Sequence, residues 1–123
     1  MRCTVGLVED DDVIRENYAD FLQACGFGVR AYGDRETALG AFRVDTPDVA
    51  ELDVALGEER DGGLLLCSEI RRFSQTLPVI FLTCHDNEED RISGLRVGAD
   101  DYLSKESSFE FLAVRIETLL ERR

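Results

Sequence analysis

Short apolar runs and stretches of helical spacing alternate along the whole chain, and this alternation limits the fold more than any other feature. VGLV at 5–8, VAEL at 49–52 and VIFL at 79–82 read as buried strands, with weaker strands at 27–32 and 101–104. Between them, Ile14, Tyr18, Phe21, Leu22 and Cys25 share one helical face. Shorter stripes follow at Ala38, Leu39 and Phe42, at Leu66, Ile70 and Phe73, and at Ile92 and Leu95, before a long one from Phe109 to Leu120. Gly26 and Gly98 stand where helices could end, and Pro78 opens a strand. Five strand–helix units in succession predict an α/β domain, a parallel sheet with helices on both faces.

The 123 residues amount to one domain, without internal repeat or linker. Lys and Arg number 14 against 26 Asp and Glu, a net charge of −12. That balance argues against a grip on nucleic acid or on an anionic membrane, which needs clustered positive charge. No apolar run approaches the roughly 18 residues of a membrane span. The opening MRCTVGLVEDDD turns acidic by residue 9, so no secretory signal and a cytoplasmic location are expected. Cys3, Cys25, Cys67 and Cys84 form no CxxC pair, and His85 is the one histidine, which disfavours zinc and suggests four reduced thiols.

In a doubly wound sheet the side chains that meet a ligand sit at the carboxyl ends of the strands. Glu9, Asp10, Asp11 and Asp12 end the first strand, Asp53 the third, Thr83 the fourth and Lys105 the fifth. Carboxylates crowded at one edge repel one another, and oxygen-only ligands of such charge suit a hard divalent cation, Mg²⁺ above all. The rival reading of residues 9–12 is simple capping of the first helix, a role expected of Asp11 or Asp12. The additional strand-end residues favour a site.

VEDD at 8–11, PDVAELD at 47–53, PVIFLT at 78–83 and GADDYLSK at 98–105 together resemble the signature blocks of the response-regulator receiver domain of two-component signalling, over essentially the whole chain. DRISGLRVGADDYL at 90–103 is similar to receivers that precede winged-helix DNA-binding domains, the OmpR/PhoB-like class. The resemblance implies a flavodoxin-like (CheY-like) (βα)5 fold with strand order 2-1-3-4-5. It implies that residues 1–123 are a receiver domain forming the N-terminal part of a longer regulator. Asp53 would accept a phosphoryl group from a sensor histidine kinase. Glu9, Asp10, Asp53 and the main-chain carbonyl of Ala55 would hold Mg²⁺, while Thr83 and Lys105 bind phosphoryl oxygens. Thr83 and Tyr102 would form the switch, and Ala55 and His85 would tune dephosphorylation. The chain would catalyse only its own phosphotransfer and dephosphorylation. DNA would be reached only through a separate output domain.

By the same resemblance the fourth helix, fifth strand and fifth helix form a homodimer face carrying Arg91, Arg96, Asp101, Arg115 and Glu117. Asp101 and Arg115 match an inter-subunit pair, and the usual signs look exchanged at Arg96 and Glu117. The alternative reading of this face is solvated charge. Two other functions compete. A phosphate-independent interaction module is favoured only by the altered loops. A Mg²⁺-dependent phosphatase would carry a second acid two residues after the nucleophile, where Asp53-Val54-Ala55 has none.

Several positions depart from the family pattern. Glu106 follows Lys105 where proline is usual, and a trans bond is expected there because a cis non-proline bond costs about 3–4 kcal/mol. The VALGEERDGG loop after Asp53 has Gly57 in place of proline, one added residue and extra negative charge, which could leave it mobile. Glu51, two residues before Asp53, is expected to reach solvent or a basic partner, since a buried unpaired carboxylate is costly. Cys84 borders the expected pocket; a redox role is the minority reading.

Overall fold

The structure, a computed structural model, describes residues 2–84 and 87–122. Its elements run β1 (Thr4–Val8), α1 (Asp12–Ala24), β2 (Gly28–Tyr32), α2 (Arg35–Val44), β3 (Val49–Leu52), α3 (Gly62–Phe73), β4 (Val79–Thr83), α4 (Glu88–Arg96), β5 (Asp101–Ser104) and α5 (Phe109–Glu121). The five strands are parallel in the order β2-β1-β3-β4-β5. The expected (βα)5 architecture is therefore present.

The period-2 alternation of the strands divides the core in two. Val5, Leu7, Val49, Ile80 and Leu82 face Tyr18 and Leu22 of α1 and Leu112 and Ile116 of α5. Val8, Ala50, Leu52, Val79 and Phe81 face Leu39 and Phe42 of α2 and Leu66 and Ile70 of α3. Gly6 is part of this second contact: a Cβ there would lie 2.7 Å from the Phe42 ring. Side-chain caps start four of the helices, with Asp11, Asp34, Asn87 and Ser108 each accepting from a backbone N–H three residues on. Gly26 and Gly98, at φ +96° and +102°, follow the C-terminal ends of α1 and α4, as their spacing predicts.

Three of the departures resolve here. The Lys105–Glu106 bond is trans. The loop after Asp53 is not an open excursion but a closed turn. Leu56 and Glu59 exchange backbone hydrogen bonds of 2.9 and 3.1 Å around Gly57 (φ +65°) and Glu58, and Leu56 is buried. Glu51 corrects an expectation: it reaches neither solvent nor a basic side chain. It is 1% exposed, and among the described residues neither carboxyl oxygen has a hydrogen-bond partner. It shares the face of Val49, and strand register sets it beside Leu7 and Ile80, so the pleat directs it into the α1/α5 core.

Candidate functional site

The site forms where β1, β3, β4 and β5 end. Backbone pairing continues past the strand ends: Asp53 N–H donates to the Val8 carbonyl at 3.1 Å, and Lys105 N–H to the Thr83 carbonyl at 2.9 Å. Segments distant in sequence are thereby held side by side. Glu9, Asp10 and Asp53 each bring one carboxylate oxygen within 4.8 Å of the others. Glu9 and Asp53 are buried, and Asp10 is exposed. The Lys105 ammonium donates to Glu9 Oε1 at 2.5 Å and to Asp53 Oδ2 at 2.7 Å.

Three carboxylates against one ammonium leave an excess of two negative charges. Burial raises the Glu9 pKa above the ordinary carboxylate range, although hydrogen bonds from Lys105 and the Asp11 N–H oppose the shift. Burial alone would lower Lys105, but its bonds to Asp53 and Glu9 prevail and hold its pKa above the usual value. Asp53 Oδ1 is buried without a hydrogen-bond partner among the described residues. An all-oxygen donor set, surplus negative charge and an orphaned carboxylate oxygen fit a hard divalent cation.

Thr83 is fully buried at the end of β4, next to Ser104 in register and bonded through its backbone to Lys105. Ala55 is half-buried at the start of the β3–α3 loop. Tyr102 is buried, with its ring against Phe81 (centroids 5.9 Å apart) and the Arg91 guanidinium 5.8 Å from its centroid. Arg91, Arg96 and Glu117 are exposed. Asp101 and Arg115, expected from the resemblance to pair between subunits, bond within this chain, Nε to Oδ2 at 2.5 Å. Cys84 is exposed, Cys67 is buried and all four cysteines are free. His85 lies outside the described residues.

Beneath the acids, Glu51 and Tyr18 help line a cavity of about 10 Å³ that also touches Glu9 and Asp53. Burial pushes the Glu51 carboxyl up to about 8, with the nearby Glu9 charge adding to the rise. Burial and then the Glu51 charge raise the Tyr18 phenol.

Two arginines escaped sequence reasoning. Arg15 of α1 donates to the Glu9 carbonyl at 2.8 Å. Arg35, the first residue of α2, grips Glu59 in the β3–α3 loop. The Arg35–Glu59 contact spans 24 residues and follows no periodicity, so nothing in the sequence marked it.

A family model described as "Response regulator receiver domain" matches residues 5–117. The chain is 40% identical over 121 residues to the transcriptional regulatory protein CreB of Escherichia coli, covering 98% of this chain and 52% of that one. It is 45% identical over 116 residues to the transcriptional regulatory protein CseB of Streptomyces coelicolor, covering 94% and 48% respectively. The chain thus spans about half the length of these curated relatives. Among solved structures, the receiver domain of the Francisella response regulator 1452 superposes with a TM-score of 0.90 at 28% identity, covering 98% of both chains.

Proposed function

This chain belongs to the response regulator receiver family, and from that premise we propose that it takes a phosphoryl group onto Asp53 from a phosphohistidine of a sensor histidine kinase. The observation that carries the reading is the meeting of Glu9, Asp10, Asp53 and Lys105 at one sheet edge, with Asp53 Oδ1 buried and unpartnered.

In the transfer, a carboxylate oxygen of Asp53 forms the new O–P bond as the P–N bond to the donor imidazole breaks. The electron pair of that bond stays on the imidazole nitrogen. Glu9, Asp10, Asp53 and the Ala55 carbonyl are the groups to hold Mg²⁺, which when bound neutralises charge on the phosphoryl oxygens. Lys105 contributes a second positive charge at Asp53, and the hydroxyl of Thr83 is the donor for a phosphoryl oxygen. Phosphorylation adds about −1.5 to −2 charges and three strong acceptors. Drawing Thr83 towards them changes the packing next to Tyr102. Ala55 and His85 are the positions proposed to tune how long the acyl phosphate lasts.

The α4–β5–α5 face, with Arg91, Arg96, Asp101, Arg115 and Glu117, is the surface proposed to pair with a second copy. For Asp101 and Arg115 that pairing requires exchange of the intrachain bond. The relatives' names support a transcriptional output, with DNA contacted by a separate domain. Among the described residues no helix is long and apolar enough to cross a membrane, and a cytoplasmic role in signalling rather than metabolic catalysis fits the family.

The test is intact mass after incubation with a small acyl-phosphate donor and Mg²⁺. The wild type should gain about 80 Da, the mass of one phosphoryl group, and Asp53→Asn should gain nothing. No gain in the wild type would leave a phosphate-independent interaction module as the better reading.

A further inference from the structure

We propose that Arg35 is a positioning residue for the Asp53 site, acting through Glu59 to hold the β3–α3 loop in the geometry that binds the divalent cation. The inference rests on the phosphoryl-acceptor reading above.

The loop lacks the stiffness that a proline would bring. Gly57 sits at φ +65° and, its chain neighbours aside, has no atom within 4 Å of where a Cβ would be, so neither a ring nor packing at Gly57 itself stiffens the turn. Glu59 supplies the fixing instead. Its N–H and carbonyl close the turn on Leu56, and the same carbonyl accepts from the Gly62 N–H at 3.1 Å, at the first residue of α3. Its carboxylate is then held by Arg35, whose Nε lies 3.1 Å and Nη2 3.0 Å from Oε2. The third guanidinium nitrogen, Nη1, donates to Glu69 Oε1 on α3 at 2.8 Å. One planar group thus ties the start of α2, the loop and α3 together.

The Arg35 side chain is only 15% exposed and that of Glu69 23%, while the Glu59 side chain is 45% exposed, so a sheltered guanidinium reaches out to a loop carboxylate at the surface. A forked, charge-assisted contact of this kind fixes direction as well as distance. Between Asp53 and the clamped Glu59 lie Val54, Ala55, Leu56, Gly57 and Glu58. Val54 is anchored by the 2.7 Å bond from Gly63 N–H to its carbonyl. Ala55, the proposed carbonyl ligand, therefore sits between one anchor at Val54 and a second at Leu56–Glu59. Releasing the Glu59 carboxylate leaves the second anchor held by its backbone bonds alone, so the carbonyl settles part of its geometry at the moment of binding.

Supports one layer out from a metal ligand cost about 10- to 100-fold in affinity when removed, and a loop support should fall near the lower figure. The experiment is calorimetric titration of Mg²⁺ into the unphosphorylated protein, for wild type, Arg35→Ala, Glu59→Gln and the double variant. Each is paired with thermal melting and with phosphorylation rates across Mg²⁺ concentrations. We expect each single variant to bind Mg²⁺ about 10-fold more weakly, with the double variant no worse than either. Phosphorylation should slow at low Mg²⁺ and recover at saturating Mg²⁺. Unchanged Mg²⁺ affinity in both single variants, whether or not the melting temperature falls, overturns the positioning role. A wild type that gives neither Mg²⁺ heat nor a mass gain overturns the phosphoryl-acceptor reading itself, and the inference with it.

Discussion

The Lys105 ammonium and the Asp53 carboxylate, 52 residues apart in sequence, meet at 2.7 Å, and the same ammonium holds Glu9 at 2.5 Å. Lys105 thus competes with any divalent cation for these two acids, and under the proposed function it also neutralises the charge a phosphoryl group brings. Opposite charges within about 4 Å attract by about 4 kcal/mol at an effective dielectric near 20, of which rearrangement and screening leave a fraction. The expected result of Lys105→Ala is a divergence. Mg²⁺ should bind roughly 10-fold more tightly, while phosphorylation of Asp53 should slow by about 100-fold, the cost of losing one oriented charge stabiliser. Calorimetry and phosphorylation kinetics on the same preparation check both signs. Weaker Mg²⁺ binding would contradict the competition.

Glu51 predicts how stability changes with pH. In the unfolded chain its carboxyl ionises in the ordinary range; in the fold burial raises it to about 8. Between those values the folded state carries one more proton than the unfolded state, so stability falls as pH climbs from about 4.5 to 8. The loss approaches about 4 kcal/mol at the upper end. Glu51→Leu removes both the titration and the two orphaned oxygens. Urea melts should show the variant more stable by roughly 2–4 kcal/mol at pH 7.5, with a smaller difference at pH 5. Glu9 is raised too, but it is present in both proteins and cancels from the comparison to first order. A difference independent of pH would mean that Glu51 does not hold a proton in the fold.

The fold was legible because two periods alternate cleanly. The stripe from Ile14 to Cys25 and that from Phe109 to Leu120 stand in the chain as α1 and α5, and the VGLV, VAEL and VIFL runs as β1, β3 and β4. The site followed from the rule that strand ends converge, which needs only the strand assignments and the letters that follow them. Contacts between side chains of different elements were not legible. Arg35 and Glu59 meet because α2 and the β3–α3 loop pack on the same side of the sheet, information carried by three dimensions alone. Glu51 was misjudged because an acidic letter inside an apolar run ordinarily signals an escape route to water. Here Tyr18 and Leu82 beside it close that route.

Gly63 predicts a steric effect without backbone strain. A Cβ at this position would lie 1.7 Å from the Asp53 carbonyl oxygen and 3.0 Å from Val54 Cα. Backbone atoms cannot rotate aside, so α3 would have to move away from the strand end that presents Asp53. Gly63→Ala should cost about 3 kcal/mol or more, at or above the usual range for overpacking. Gly40, inside α2 with nothing within 4 Å of its Cβ position, is the matched control. Gly40→Ala should gain about 0.5–1 kcal/mol from helix propensity. Opposite shifts of the denaturation midpoint are expected, and equal shifts would refute the steric account.

Gly94 is the place on α4 that lets the Tyr102 ring lie inside. A Cβ there would come within 2.8 Å of Tyr102 Cδ2 and 3.3 Å of Phe81 Cδ2. Phe81 is fully buried in the sheet at 0% exposure, whereas Tyr102 retains 5%, so the tyrosine is the one with a route outward. Gly94→Ala should therefore turn Tyr102 outward, raise its accessibility to nitration and destabilise the fold by about 1–3 kcal/mol. If Tyr102 is the switch, the variant should still accept phosphate on Asp53 while dimerising less on phosphorylation. Tyr102→Ala supplies the decisive comparison by removing the ring that the new methyl would strike. On that background Gly94→Ala should cost almost nothing, giving a coupling of at least about 1 kcal/mol in the double-mutant cycle. Additive costs would place the clash elsewhere and detach Gly94 from the position of Tyr102.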